Sequence, residues 1–283
     1  PVTEVPPELA ATVPHGATLV YWDYYHTDEQ TYDVLLSRHE SFHVPVIFAG
    51  GAWTWNGLTP NLGAAEAVTL PALRACRAHH VEEVICTCWA DNGAETSLFT
   101  ALPTFQLYAE SCYRGETARE EIDRRFAVCC AGNAADWQHL RLLDEVSGEK
   151  PNNTDFHNPS KYLLYQDPLC ALFDSHGFAN ANAWYAKLAV DYREAVPRNP
   201  AWAGLFRHYA ALADVLGVKA ELSERIRAAY LSGDKDAVRA LLPEIDAAAE
   251  KTAVLRETFR TLWLSENKPF VFECVDIRVS GVI

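Results

Sequence analysis

The chain contains no methionine, no apolar run long enough to span a membrane and no cluster of basic residues. Its 24 lysines and arginines are outnumbered by 38 aspartates and glutamates, giving a formal charge of −14. Phosphate recognition needs concentrated positive charge, so nucleic acid and anionic membrane are excluded as partners and a neutral ligand is favoured. Eight cysteines lie at 76, 86, 88, 112, 129, 130, 170 and 274, with no CxxC pair and no regular spacing, which argues against a disulfide framework. Cys76, His79, His80, Cys86 and Cys88 are close in sequence. Cys86 and Cys88 nevertheless fall in a strand, and the histidines end a helix, where the dipole favours a protonated imidazole. That spacing matches no common structural zinc site, so neither a metal nor another cofactor is expected. Pro1-Val2-Thr3-Glu4 has neither the basic start nor the apolar stretch of a secretory signal, and a cytoplasmic location is the expectation. A first residue of proline and the missing methionines point to a fragment, a trimmed product or a chain from which residues are missing.

With 283 residues, 49% hydrophobic and 22% charged, the chain can bury a large core in one large or two ordinary domains. Its most informative stretch is Val84-Ile85-Cys86-Thr87-Cys88-Trp89-Ala90-Asp91-Asn92-Gly93-Ala94-Glu95-Thr96. Strand periodicity puts Trp89 and Asp91 on one side, so a flat apolar plate and a hydrogen-bonding carboxylate face a common space. That pairing suits a saccharide, whose C–H face stacks on an aromatic ring while its hydroxyl rim is gripped by a carboxylate. A core tryptophan followed by a loop cap would leave the same trace in sequence.

Thr18 to Tyr25 reads as a buried strand, and Thr27 or Asp28 then caps a helix through Tyr32, Leu35, Leu36 and His39. Val44 to Ala49 is a second strand, followed by Gly50-Gly51 and the cluster Trp53-Thr54-Trp55-Asn56-Gly57. A helix beginning near Thr69, with Pro71 in its first turn, runs toward His80, and a third strand covers Glu83 to Cys88. The β-α-β-α-β order makes the three strands parallel neighbours. Each ends in an aromatic and polar loop, and in both open α/β sheets and eight-stranded barrels ligands bind at those strand ends. Three strands cannot close a barrel and would leave an unpaired edge on each side.

Beyond Asn92 the pattern turns helical, with helices expected over 98–113, 118–130, 134–143, 161–174, 184–195, 202–229 and 234–263, the last broken near Pro243. Residues 149–160 read as an ordered loop or linker, and the alternation from Phe270 to Val279 as a terminal strand.

Five segments carry a family likeness: Leu19 to Tyr25, Phe48 to Trp55, Trp89 to Glu95, Asn158-Pro159-Ser160-Lys161-Tyr162 and Glu266-Asn267-Lys268-Pro269-Phe270. In this order they resemble the intracellular branch of the family 20 glycoside hydrolases, exo-acting β-N-acetylhexosaminidases that include the hexosaminidase D-like enzymes. The resemblance implies an α/β fold: the last three βα units of a (β/α)8 TIM barrel within residues 1–115, then a mainly α-helical C-terminal domain, 116–283, with the terminal strand. It also implies hydrolysis of terminal β-linked GlcNAc or GalNAc by a retaining mechanism in which the substrate's acetamide oxygen attacks the anomeric carbon. An adjacent Asp-Glu pair after strand four supplies the acid in that family. Asp28-Glu29 and Asp144-Glu145 match it in neither place, so no catalytic residue is assigned here and the pair is expected upstream of Pro1. The likeness assigns substrate binding to Trp22, Trp53, Trp55, Trp89, Asp91 and one of Tyr24 and Tyr25, and leaves Asn92 and Glu95 as braces of the loop. Its implied partners are an N-acetylhexosamine-terminated glycan and a second copy of the chain in a homodimer. A noncatalytic sugar-binding or helical assembly module on the same scaffold is the alternative.

Overall fold

The computed structural model describes residues 5–170 and 172–283, so the start of the first expected domain lies outside the described residues. The α/β part begins with β1, Leu19–Trp22, and α1, Glu29–Glu40, whose N-cap Asp28 accepts the Thr31 amide at 2.8 Å. Tyr32, Leu36 and His39 form its buried stripe. Next come β2, Val46–Gly51, α2, Leu62–Ala78, and β3, Glu83–Thr87. The sheet is parallel in the order β1-β2-β3, with Tyr21 beside Phe48 and Phe48 beside Val84.

The helix expected near Thr69 starts at Leu62, and Pro71 lies in its interior. Asn61 caps it, accepting the Ala64 amide at 3.2 Å, and its first turn is the small-residue run Gly63-Ala64-Ala65. A Cβ on Gly63 would lie 2.6 Å from the Asn152 Cα, so close approach of two backbones explains the glycine. Small residues carry little periodic signal, which is why the sequence pattern misses this turn.

Alternation gives the sheet two unlike faces. Tyr21 and Phe48, with Val84 and Cys86, pack on Tyr32, Leu36, Leu73 and Cys76 from α1 and α2. On the other face Val20 is 51% exposed, Trp22 59% and Ile85 44%. Among the described residues no element covers this face and neither β1 nor β3 has a further strand neighbour.

The remainder is helical: α3, Leu102–Arg114; α4, Arg119–Cys129; α5, Ala134–His139; α6, Pro159–Tyr165; α7, Ala181–Arg198; α8, Ala203–Lys219; α9, Leu222–Leu231; α10, Lys235–Ala240; α11, Leu242–Glu266; and α12, Phe272–Ser280. Helix α8 is buried on almost every side and forms the centre of a core with Trp137, Leu143, Tyr185, Tyr192 and Leu255. Leu58, from the loop after β2, enters the same core and ties the sheet to the helices. Buried Lys219 donates to the Leu163 and Gln166 carbonyls at 3.1 and 2.6 Å, capping α6, and burial pushes its ammonium down to about 8.

Two helical expectations and one strand need correction. Helix α6 stops at Tyr165 instead of continuing to Asp174, because Pro168 disfavours helical backbone at Asp167 and Gln166 is already extended. The span 202–229 is two helices, α8 and α9, parted at Ala220 and Glu221. The terminal strand is a helix, α12: Val275 and Val279, four residues apart, bury together against Phe259 and Trp263. The alternation there was the shadow of a helical stripe. No helix among the described residues is long and apolar enough to cross a membrane.

Candidate functional site

All three sheet strands run into loops at one rim. After β1 the chain turns around Asp23, a buried carboxylate that accepts from Tyr21 Oη at 2.7 Å and the Tyr25 amide at 2.9 Å and pairs with His26 Nδ1 at 2.6 Å. Burial and that bond to Asp23 push the Tyr21 hydroxyl far above the usual phenol range. Asp23 thereby organises the loop from below the rim.

The aromatic residues separate into a buried tier and an accessible one. Trp53 is buried in left-handed backbone at φ 49°, stacked on Phe156 with centroids 4.1 Å apart, its Nε1 donating to the Tyr24 carbonyl at 3.1 Å. Trp55 stacks on Trp53 at 4.7 Å and tilts against Tyr24 at 4.9 Å. A Cβ on Gly51 would lie 2.6 Å from the Trp55 ring, so the second glycine of Gly50-Gly51 makes room for that indole. Trp22 and Trp89 are both exposed and stack on each other, centroids 5.8 Å apart and planes inclined by 28°, so the pair presents apolar ring surface at the strand ends. Tyr25, also exposed, stands edge-on to Trp53 and Phe156 at 5.7 and 5.5 Å.

One chain of hydrogen bonds crosses the rim in a single direction. Trp89 Nε1 donates to Tyr24 Oη at 2.6 Å, and Thr87 Oγ1 donates to the Gly50 carbonyl at 2.9 Å. Tyr24 Oη and Thr87 Oγ1 are 2.6 Å apart. Since the threonine proton is spent on Gly50, the tyrosine must donate to the threonine. Tyr24 therefore keeps an acceptor lone pair and has no proton to offer a ligand in this arrangement, whereas the Tyr25 hydroxyl has no protein partner among the described residues.

Asp91 is exposed and opens a tight turn, Asp91–Ala94. Strand periodicity cannot relate it to Trp89, because β3 ends at Thr87. Three successive residues in the turn are left-handed, with φ 57° at Asn92, 99° at Gly93 and 54° at Ala94. Such backbone costs a non-glycine residue roughly 1 kcal/mol or more and persists only when its surroundings hold it. Glu95 anchors the turn from inside: buried, it accepts from Tyr165 Oη at 2.9 Å and Arg278 Nη1 at 2.9 Å and pairs with Lys161 Nζ at 2.5 Å. Burial and this carboxylate together push the Tyr165 hydroxyl upward.

The segments 158–162 and 266–270 also meet the rim loops. Asn158 Nδ2 donates to the Asn56 carbonyl at 2.6 Å, Asn56 Nδ2 to the Phe156 carbonyl at 2.5 Å, and Ser97 Oγ to Glu266 at 2.7 Å. Phe156, Lys161, Tyr165, Thr87 and Arg278 are supporting residues to which the sequence assigns no role, although Thr87 and Lys161 stand inside its quoted motifs. Their partners lie tens to nearly two hundred positions away, beyond any local pattern.

Neither Asp-Glu dipeptide stands at the rim. Asp28 caps α1 and Glu29 pairs with Arg74 at 2.7 Å. Asp144 is fully buried, accepting from the Ser160 amide at 2.8 Å and Thr59 Oγ1 at 2.7 Å, and burial pushes it up to about 6 against the lowering effect of those bonds. Burial also raises Glu145, which pairs with Arg141 at 3.3 Å. His79, one of the residues near Cys76, is committed to carboxylates, Nδ1 to Glu40 at 2.8 Å and Nε2 to Asp33 at 2.7 Å. Partial burial opposes protonation there, but the two carboxylates outweigh it and raise the imidazole.

Known proteins bear on the helical half. The family model described as Glycoside Hydrolase 20C C-terminal domain matches residues 135–283, just over half of the chain, whereas Trp22, Tyr24, Tyr25, Trp53, Trp55 and Trp89 all precede that span. No curated protein matches the chain. With α6 to α12 inside the matched span and its motif residues locked onto the loops after β2 and β3, the chain belongs to family 20 of the glycoside hydrolases.

Proposed function

We propose that this chain supplies the substrate-holding side of an exo-acting β-N-acetylhexosaminidase of the hexosaminidase D-like branch, which releases terminal β-linked GlcNAc or GalNAc with retained configuration. The observation that carries the reading is the stacked Trp22–Trp89 pair, exposed at the carboxyl ends of a parallel sheet with an exposed carboxylate, Asp91, close to Trp89 in the chain. Stacking takes the C–H face of the pyranose, and Asp91 takes ring hydroxyls. Trp55, with Trp53 behind it, walls the acetamide, and Tyr25 offers it a hydroxyl proton. The acetamide oxygen closes on the anomeric carbon as the glycosidic C–O bond breaks and the leaving oxygen takes a proton from the acid of the Asp-Glu pair; water then opens the oxazoline, so the protein needs no nucleophile of its own.

The bare sheet face supports the barrel. An apolar face on parallel strands is stable only when covered, and further strands curling over Val20, Trp22 and Ile85 would enclose it as a barrel interior. The catalytic Asp-Glu pair then belongs to one of those other strands, and residues 1–283 bind without hydrolysing. A homodimer in the cytoplasm is part of the same proposal.

Two measurements test it. Residues 1–283 alone should leave a chromogenic N-acetyl-β-hexosaminide intact while the full-length protein turns it over, and turnover by the segment at enzyme rates would refute the division of labour. In the full-length protein, Trp89→Ala and Asp91→Ala should each weaken binding of an oxazoline-like inhibitor about tenfold or more, roughly 1.4 kcal/mol. Unchanged affinity in both removes the two residues from the site. A protein that binds the sugar and never hydrolyses it would instead be the noncatalytic module.

A further inference from the structure

Arg278 lies on the last helix, α12, yet its guanidinium is spent on the loop that carries Asp91. Nη1 donates to the Asn92 carbonyl at 2.5 Å and to Glu95 Oε1 at 2.9 Å, and Nη2 donates to Asn92 Oδ1 at 3.1 Å. The guanidinium packs where the side chain of residue 93 would be: a Cβ on Gly93 would sit 3.0 Å from Nη1. One planar group thus engages the backbone and side chain of Asn92 and the buried Glu95, a fork that a lysine's point charge cannot reproduce.

The support behind Arg278 is firm. Val275 and Val279 flank it in the core with Phe259 and Trp263, and Asp276 holds Arg256 through two bonds of 2.6 and 2.9 Å. The loop in front of it is the opposite, three consecutive left-handed residues with Asp91 immediately before them. Neutralising Glu95 does not require Arg278, since Lys161 already pairs with that carboxylate at 2.5 Å. What Arg278 alone adds is its grip on Asn92, one residue from Asp91.

We infer that Arg278 is the positioning residue for the Asp91 turn, so that the terminal helix of the helical domain sets the affinity of the rim for its sugar without touching the sugar. This rests on the reading of Trp89 and Asp91 as hexosamine contacts. It makes α12 part of the binding device rather than a terminal cap.

The test uses the full-length protein with Arg278→Lys and Arg278→Ala, following amide hydrogen exchange across residues 90–96 and affinity for the thiazoline analogue of N-acetylglucosamine. Both variants should exchange the turn at least tenfold faster and bind the thiazoline at least tenfold more weakly, with kcat changed less than KM. Millimolar guanidinium should restore affinity to Arg278→Ala and leave Asp91→Ala unrestored, an outcome that general destabilisation does not produce. If Arg278→Ala fails to fold, Arg278→Lys carries the same readouts, because it keeps a cation opposite Glu95. Wild-type exchange or wild-type affinity in Arg278→Lys overturns the inference. A wild-type protein that does not bind the thiazoline overturns the sugar reading instead, and exchange of the turn then still decides whether Arg278 holds it.

Discussion

Tyr24 has a single hydroxyl proton, and the direction of the chain from Trp89 through Tyr24 and Thr87 to Gly50 decides where it goes. The arrangement fixes the Trp89 indole edge, so one ring of the stacked Trp22–Trp89 pair is oriented by the Tyr24 hydroxyl. Tyr24→Phe leaves Trp89 Nε1 without its acceptor and Thr87 without its donor. It should cost about 1–2 kcal/mol in urea unfolding and loosen the Trp89 ring, seen as faster exchange of its indole proton. Unaltered stability and exchange would mean that stacking on Trp22 alone holds the ring. Trp22 and Tyr24 have the same parity along β1 and its extension, and they are neighbours, ring centroids 5.7 Å apart. Parity could not foretell that one would be exposed and the other buried with its hydroxyl committed, since that depends on Thr87 from another strand.

Strands and long helices were legible because their signals are local. β1 to β3 are bounded by polar loops, α1 carries its cap and stripe in sequence, and α11 begins beside Pro243 as the proline requires. Illegible were elements whose reason is a distant neighbour. The first turn of α2 is helical because Gly63 lets the chain near Asn152 pass, and α12 is helical because Val275 and Val279 find Phe259 and Trp263. Gly63→Ala tests the first directly. Alanine is the better helix former by roughly 1 kcal/mol. Here its methyl would meet the Asn152 backbone and the Glu145 carboxylate, so the variant should instead lose about 2 kcal/mol or more in denaturant unfolding. A stabilised variant would show that the two segments separate easily. The plate, the walls and the Asp91 turn could be picked out as candidates from their residue types, but the clamp that joins them to α6 and α12 could not.

Across the whole molecule, buried carboxylates stitch the sheet loops to the helices, and they make stability depend on pH. Asp144 joins Thr59, after β2, to Ser160 in α6, and its carboxyl is raised to about 6 from an ordinary value near 4. The folded state therefore holds a proton that the unfolded chain has released between about pH 4 and 6, and this contribution to stability is lost as pH rises through that window. Asp144→Asn removes the dependence. Its stability relative to wild type should climb by up to about 3 kcal/mol between pH 4 and 7 in parallel denaturant titrations, and a constant difference would place the titration elsewhere. A second molecular consequence follows from the uncovered side of the sheet. Val20, Trp22 and Ile85 lie between two strand edges whose amides and carbonyls point outward with no partner among the described residues, the arrangement that invites strand addition by a foreign chain. Exposed apolar side chains between two open edges make self-association, rather than loss of the helical core, the first failure expected of residues 1–283 on their own, and light scattering at rising concentration would register it before any change in helical circular dichroism.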